Sequence, residues 1–247
     1  MKVQREIQKV LLEVRRHGLA HALYDVGLKT VNRVVFLKIL RGVRIERPDP
    51  AFLECPGRYT PMFLPEKMIR DFARDEANGM PATFVAEALS KGDECFGFLE
   101  GETLAAYGWY SSRPTRIDPP DLVLSFGGAY VYMYKGFTDP RHRGQRLHAI
   151  GMTMALRHYL SRGFRGIVSY VESNNFDSLK SCNRMGYAQF GSVYAVRILG
   201  RYLTYSSPGC RKYQFRVAPY TAPELPPSPG GAAGTSAQRG RPAARTR

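Results

Sequence analysis

No apolar run in this sequence comes near the roughly 20 residues needed to cross a bilayer as a helix. The basic start, Met1 to Arg16, leads into no signal-like apolar stretch ending in a small-residue cleavage site, so the chain is read as cytoplasmic or peripheral to a membrane. Cysteine is scarce and scattered. Cys55, Cys95, Cys182 and Cys210 form no CxxC pair and no histidine stands at ligand spacing from them, which excludes a zinc-ribbon or disulfide framework. They read as reduced thiols, and no metal is expected. Acid is also scarce, with 21 Asp and Glu against 36 Lys and Arg, a net charge of +15. That excess sits mainly at the ends: residues 1–47 carry eleven basic and four acidic side chains, and residues 219–247 four and one. The imbalance therefore concerns docking to anionic surfaces more than the chemistry of the middle.

A hydrophobic content of 44% and an aromatic content of 12% fit one globular core. Its organisation is read as a basic helical N-terminal extension over 1–47, a main domain over 48–218 and a disordered basic tail over 219–247. The tail is rich in Pro, Gly, Ala and Ser, which bury too little apolar area to offset the entropy of ordering. In the extension, Val3, Ile7, Val10, Leu11 and Val14 recur at helical spacing, and a second helix is predicted over Ala20 to Leu40. Pro48 and Pro50 then mark the boundary.

Within the domain, Phe63 to Asn78 predicts a helix. Cys95–Leu99 and Thr103–Ser111 predict a hairpin turning at Gly101. Tyr130–Phe137 reads as a strand, Leu147 to about Gly163 as a long helix, Gly166–Val171 as a buried strand and Phe176–Met185 as a short helix. Gln189–Ile198 and Lys212–Val217 read as closing strands. No internal repeat is present.

A strand that feeds directly into a helix start creates an anion site, because the unpaired first-turn amides and the positive end of the helix dipole point at the same place. Between Phe137 and Leu147 that turn carries Arg141, Arg143 and Arg146, whose guanidinium groups suit phosphate oxygens, and Gly144, which admits a ligand close to the backbone. The order of elements, the Arg141-x-x-Gly144-x-Arg146 loop and a second motif of Asn175, Ser178, Gly186 and Tyr187 resemble the GNAT superfamily of acyl-CoA acyltransferases. The resemblance covers Cys95 to Val217.

That resemblance implies a mixed α+β fold, with a mixed sheet flanked by helices and splayed open between the strands Tyr130–Phe137 and Gly166–Val171. It implies acetyl-CoA or another acyl-CoA as co-substrate, with pantetheine in the wedge and pyrophosphate on the amides of Arg143 to Leu147. The coenzyme-binding set is then Phe137, Thr138, Arg141, Arg143, Gly144, Gln145, Arg146, Leu147, Asn175 and Ser178. An amide near Phe137 would hold the oxyanion as an amine attacks the thioester. Two departures stand out: Arg146 takes the place of a small residue, and Cys182 stands where many relatives carry a proton-donating tyrosine, so that Cys182 is the candidate acid for the departing thiolate, with water or Tyr187 as the alternatives. No acid lies within Tyr130–Phe137, so Glu172 is the first candidate for general base, followed by Asp139 and Tyr134.

Plainer roles exist for several of these residues. Asn175 suits a helix cap, Cys182 a small buried hydrophobe and Glu172 a solvated carboxylate. The function read from the sequence is an N-acyltransferase, acetyl first, acting on a small-molecule or protein amine. The alternatives are a donor borne on an acidic acyl carrier protein, or a CoA-binding module without turnover. The N-terminal extension is a candidate contact for an anionic membrane or an acidic carrier. Nucleic-acid binding ranks last, since the basic ends lack interleaved stacking aromatics.

Overall fold

The computed structural model describes residues 2–119 and 121–221; residues 222–247, where most of the tail reading falls, lie outside the described residues. The chain opens with helices α1 (Lys2–His17) and α2 (Leu19–Val31) and the long strand β1 (Phe36–Ile45). After them come β2 (Thr60–Phe63), α3 (Glu66–Phe72), α4 (Ala82–Lys91), β3 (Glu94–Glu100), β4 (Thr103–Ser111), β5 (Thr115–Ile117) and β6 (Leu122–Ser125). The second half runs β7 (Tyr130–Thr138), α5 (Leu147–Ser161), β8 (Gly166–Glu172), α6 (Phe176–Arg184), β9 (Ala188–Ile198), β10 (Arg201–Ser206), α7 (Pro208–Arg211) and β11 (Arg216–Pro219).

Eight strands form one sheet in the order β10-β9-β1-β8-β7-β4-β3-β2, and β11, β6 and β5 form a second, smaller one. Every neighbouring pair in the large sheet is antiparallel except β7 with β8. On one face α5 lays Ile150, Leu156 and Tyr159 against Val131, Ile167 and Val43. On the other, α3 and α4 cover β3 and β4 through Ile69, Val85 and Trp109. The small sheet covers Tyr132, Val168 and Leu40 on that same face with Leu122, Leu124 and Val217. The result is the splayed mixed α+β architecture expected from the sequence.

Three expectations change. The predicted helix over Ala20–Leu40 stops at Val31, and Phe36–Ile45 is an inner strand paired on both sides, with Leu40 opposite Glu172 of β8 and Val193 of β9. Its apolar residues satisfy both a helical and a strand period over a short window, and the two waiting strand edges decide in favour of β. Gly42 at the β1 bulge makes room for the Phe190 ring, which a Cβ there would meet at 2.6 Å. The boundary placed at Pro48 thus cuts off a strand that belongs to the sheet. The helix expected over Phe63–Asn78 shortens to α3, because Pro65 starts it and the Asp75-capped turn with left-handed Gly79 ends the segment. The strand expected over Lys212–Val217 begins only at Arg216 and pairs with β6 in the small sheet.

Candidate functional site

The site grows from a defect in the sheet. Parallel pairing of β7 with β8 covers only Tyr130, Val131 and Tyr132, opposite Gly166, Ile167 and Val168. At the next step β7 bulges: Met133 lies opposite Tyr110 and Lys135 opposite Trp109, which leaves Tyr134 as the extra residue. A bulge bends its strand and sharpens the local twist, and here it turns β7 away from β8. The Ser169 hydroxyl donates to the Met133 carbonyl at 2.8 Å across the start of the gap. Beyond it, from Tyr134 to Thr138, β7 has β4 on one side and, among the described residues, no strand on the β8 side. A row of backbone donors and acceptors there is open to an extended ligand.

The open strand runs straight into the basic loop. Asp139 caps a short turn over Pro140–His142 by accepting from the Arg141 amide at 2.8 Å, and the chain then passes through Gly144 at φ +81° and Arg146 at φ +59° into α5. No side chain caps α5. Its first-turn amides are thus left for a ligand, and a Cβ added at Gly144 would meet nothing within 4 Å. The left-handed conformation at Arg146 makes the departure seen in the sequence a costly one: a glycine adopts it freely, whereas another residue holds it at a cost of about 1–2 kcal/mol.

The residues expected to hold the coenzyme lie in different settings. Arg143, Gly144, Gln145 and Arg146 are exposed around the helix start. The guanidinium of Arg141 is engaged with Asp139, at 3.1 and 2.8 Å, and these bonds hold the Asp139 carboxyl at about 2. Leu147 buries its side chain in the core beneath α5, so only its backbone can serve. Phe137 stacks on Tyr107 with ring centroids 5.5 Å apart, and Thr138 ends β7 opposite Ala106. Across the fork, Asn175 accepts from the Ser178 amide at 3.1 Å and caps α6, so the plainer role of Asn175 is realised. The loop is itself anchored by a residue the sequence reading passed over. His142 is buried, with its Nδ1 hydrogen-bonded to the Tyr59 hydroxyl at 3.1 Å.

Glu172 ends β8 beside a polar cavity of about 260 Å³ that it shares with His17, Asp25, Lys29, Asn174 and Asn175. Its carboxylate pairs with the Lys38 ammonium at 2.9 Å, and Lys38 also reaches Asp118 at 3.1 Å. Burial works against the Lys38 charge, but its bonds to Glu172 and Asp118 outweigh it and raise the pKa. Cys182 is half-buried against the α5 core, and desolvation pushes its thiol up to about 11.

Beside the fork lies a second polar group that no motif announced. The Tyr134 hydroxyl donates to Asp93 Oδ2 at 2.7 Å, and the Lys91 ammonium lies 3.0 Å from the same oxygen. The Asp93 side chain is only 1% exposed, yet its Oδ1 has no partner among the described residues. Asp93 and Tyr134 border an open cavity of about 100 Å³ also lined by Phe84, Lys91, Thr115 and Arg116. Lys135 follows on the same face, its ammonium 4.8 Å from the Phe84 ring centroid and its pKa lowered by burial. The only sequence signal for this group was the strand tyrosine itself, since Asp93 reads as an ordinary loop acid between α4 and β3.

A parallel pair of strands that parts at a bulge and opens onto an uncapped, glycine-containing helix start is the framework of the GNAT fold. The sequence model of the GNAT acetyltransferase family matches residues 57–187, and the chain belongs to that family. Solved structures similar to it include a GNAT-family acetyltransferase from Novosphingobium aromaticivorans, 16% identical over 66% of this chain and 65% of that one, with a TM-score of 0.48. Another is a GNAT-family acetyltransferase from Colwellia psychrerythraea, 15% identical over 69% and 57%, at 0.44. A third is AAC(6')-Iy in complex with the bisubstrate analogue CoA-S-monomethyl-acetylneamine, 13% identical over 53% and 91%, at 0.43. This chain thus spans less than two thirds of the first two. Comparison with curated proteins finds no match.

Proposed function

We propose that this chain is an N-acyltransferase that moves an acyl group, acetyl first of all, from acyl-CoA to an amine by direct attack on the thioester. The observation that carries the reading is the continuity of the unpaired β7 edge with the uncapped start of α5. The edge from Tyr134 to Thr138 receives the pantetheine amides as an added strand would be received. The amides from Arg143 to Leu147 take the pyrophosphate, and Arg143 and Arg146 take phosphate charge. A β7 amide near Phe137 stabilises the oxyanion that forms as the amine attacks.

Glu172 is the proposed acceptor of the amine proton. Its carboxylate, at the end of β8, is held by the Lys38 ammonium at 2.9 Å beside the fork. A second reading is favoured by the orphaned Asp93 oxygen: Tyr134 takes the amine proton while passing its own to Asp93. Cys182, a weaker acid than an ordinary thiol, is assigned no proton transfer, and water protonates the departing thiolate.

The test is release of free thiol from a panel of acyl-CoAs and amines, coupled to calorimetry of acetyl-CoA against wild type and Gly144→Glu. A carboxylate at position 144 should abolish binding. Equal affinity of the two proteins removes the phosphate-loop assignment, and binding without thiol release on any amine leaves a coenzyme-binding module.

A further inference from the structure

Among residues 10–119 and 121–221, every large apolar side chain left exposed lies in one of two segments, residues 10–34 or residues 198–205. The first runs from Val10 of α1 to Val34 in the turn before β1, with Leu19, Leu23 and Val26 at helical spacing along α2. The second is the β9–β10 hairpin, whose tip carries Leu199 at φ +48° followed by Gly200. Leu199 is 98% exposed and Val34 86%.

The two segments meet. Phe36 pairs with Arg197 across β1 and β9 and packs on Tyr202 at 5.7 Å, which brings the Val34 turn beside the Leu199 tip. Exposed basic residues surround them: Arg33 in the turn, Arg197 and Arg201 on the hairpin, and Arg15, Arg16 and Lys29 on the helices. Concentrated exposed apolar surface marks an interaction site. Val34 and Leu199 stand on protruding tips that can enter a soft surface, and the flank beside them carries a cleft of about 200 Å³ between α1 and α2, lined by Val10, Val26, Lys29 and Arg33 with Glu13 and Asp25. The rim of the patch is basic, so a second copy of this chain would meet like charge. Apolar tips ringed by arginine and lysine match the boundary between acyl chains and anionic headgroups.

We propose that this end of the molecule docks on an anionic lipid bilayer, with Val34 and Leu199 entering the interface and Arg33, Arg197 and Arg201 meeting the headgroups. The patch stands at the end of the sheet where β8 finishes, since Leu40 near the start of β1 opposes Glu172. Docking thus brings the open end of the β7–β8 fork toward the lipid surface. Attachment of this kind does not depend on acyl transfer.

The experiment is co-sedimentation of the full chain with vesicles of phosphatidylcholine alone or with phosphatidylglycerol, at low and high salt. It compares wild type with the double variant Val34→Ser, Leu199→Ser and with Arg33→Glu, Arg197→Glu, Arg201→Glu. Each basic residue near such a surface contributes roughly fivefold in partition, and salt shortens the reach of that attraction. Wild type should pellet with phosphatidylglycerol vesicles at low salt and not with phosphatidylcholine, while each variant, with unchanged thermal unfolding, loses at least tenfold. Equal binding of wild type and variants assigns the attachment to another basic part of the chain and overturns the proposal. So does failure of wild type to bind, or a wild-type dimer that Leu199→Ser dissolves, which would make the patch a contact between copies.

Discussion

Tyr134 is the residue that the β7 bulge adds, and its hydroxyl donates at 2.7 Å to Asp93, a carboxylate almost fully enclosed. One irregularity therefore both opens the fork and aims a phenol at a buried acid. Burial above all, then the Asp93 charge, pushes the Tyr134 pKa up, so the hydroxyl stays protonated and acts only by relaying a proton. With Glu172 as base, Glu172→Gln should lower kcat about a hundredfold, within the usual range for a lost general base. Tyr134→Phe should then cost less than tenfold. Steady-state kinetics with the inverse pattern would move the role to Tyr134 and Asp93, and Lys38→Met controls for loss of the Glu172 ion pair.

Arg146 combines strain with charge. Replacement by glycine should stabilise the fold by about 1 kcal/mol, since the left-handed conformation then has no Cβ to crowd. Acetyl-CoA affinity should nonetheless fall about tenfold, equivalent to roughly 1.4 kcal/mol, as a phosphate contact is lost. Urea unfolding and calorimetry read the two effects separately. Unchanged affinity would mean that the Arg146 side chain turns away from the coenzyme.

Burial raises the Cys182 thiol from near 9 to about 11. A group whose folded pKa lies above its unfolded value contributes stability that is complete below the unfolded value and is lost as pH rises through the folded one. For Cys182 that window runs from about pH 9 to 11. Alkylation followed by peptide mass mapping should leave it unmodified at pH 8 in the native protein. Cys182→Ala should retain most turnover at that pH, and a loss beyond about a hundredfold, roughly 2.7 kcal/mol of barrier, would show the thiol acting directly.

Truncation separates the two parts of the N-terminal region. A chain beginning at Glu46 lacks β1 and should show no cooperative unfolding, because the edges of β8 and β9 lose their shared partner. A chain beginning at Asn32 keeps the strand and should unfold cooperatively without α1 and α2. In the full chain Leu40→Ala, at a position with no exposure, should cost about 2–5 kcal/mol in denaturant unfolding. Cooperative folding of the Glu46 chain would contradict the role given to β1.

The half of the fold around the Arg141–Arg146 loop was legible because its signals are local. Turn chemistry at Gly101, glycine and arginines before Leu147 and a capping asparagine at 175 each fix their own neighbourhood. The strand β1 was not legible: Val35, Leu37, Ile39 and Leu40 fit two periods at once, and what settles them is two strands more than a hundred residues away. Tyr134 was among the candidate bases, but its pairing with Asp93 escaped for a related reason. Nothing in either neighbourhood announces a pair that only the bulge brings together. His142 stands among three arginines and reads as one more polar loop residue, although Tyr59 draws it inside.

The place of β1 also bears on how the chain assembles. On a ribosome Leu40 emerges long before Glu172 and Val193, the residues it will lie between. The central part of the sheet cannot close until most of the chain has been made. Contacts so distant in sequence slow folding, because loop closure must precede any gain from pairing. During that interval β1 is an apolar strand with both edges bare, of the sort that pairs with foreign strands. Its three basic residues, Lys38, Arg41 and Arg44, with the adjoining Arg47, then set like charges against any second copy, so the basicity of this region guards the nascent chain as it waits.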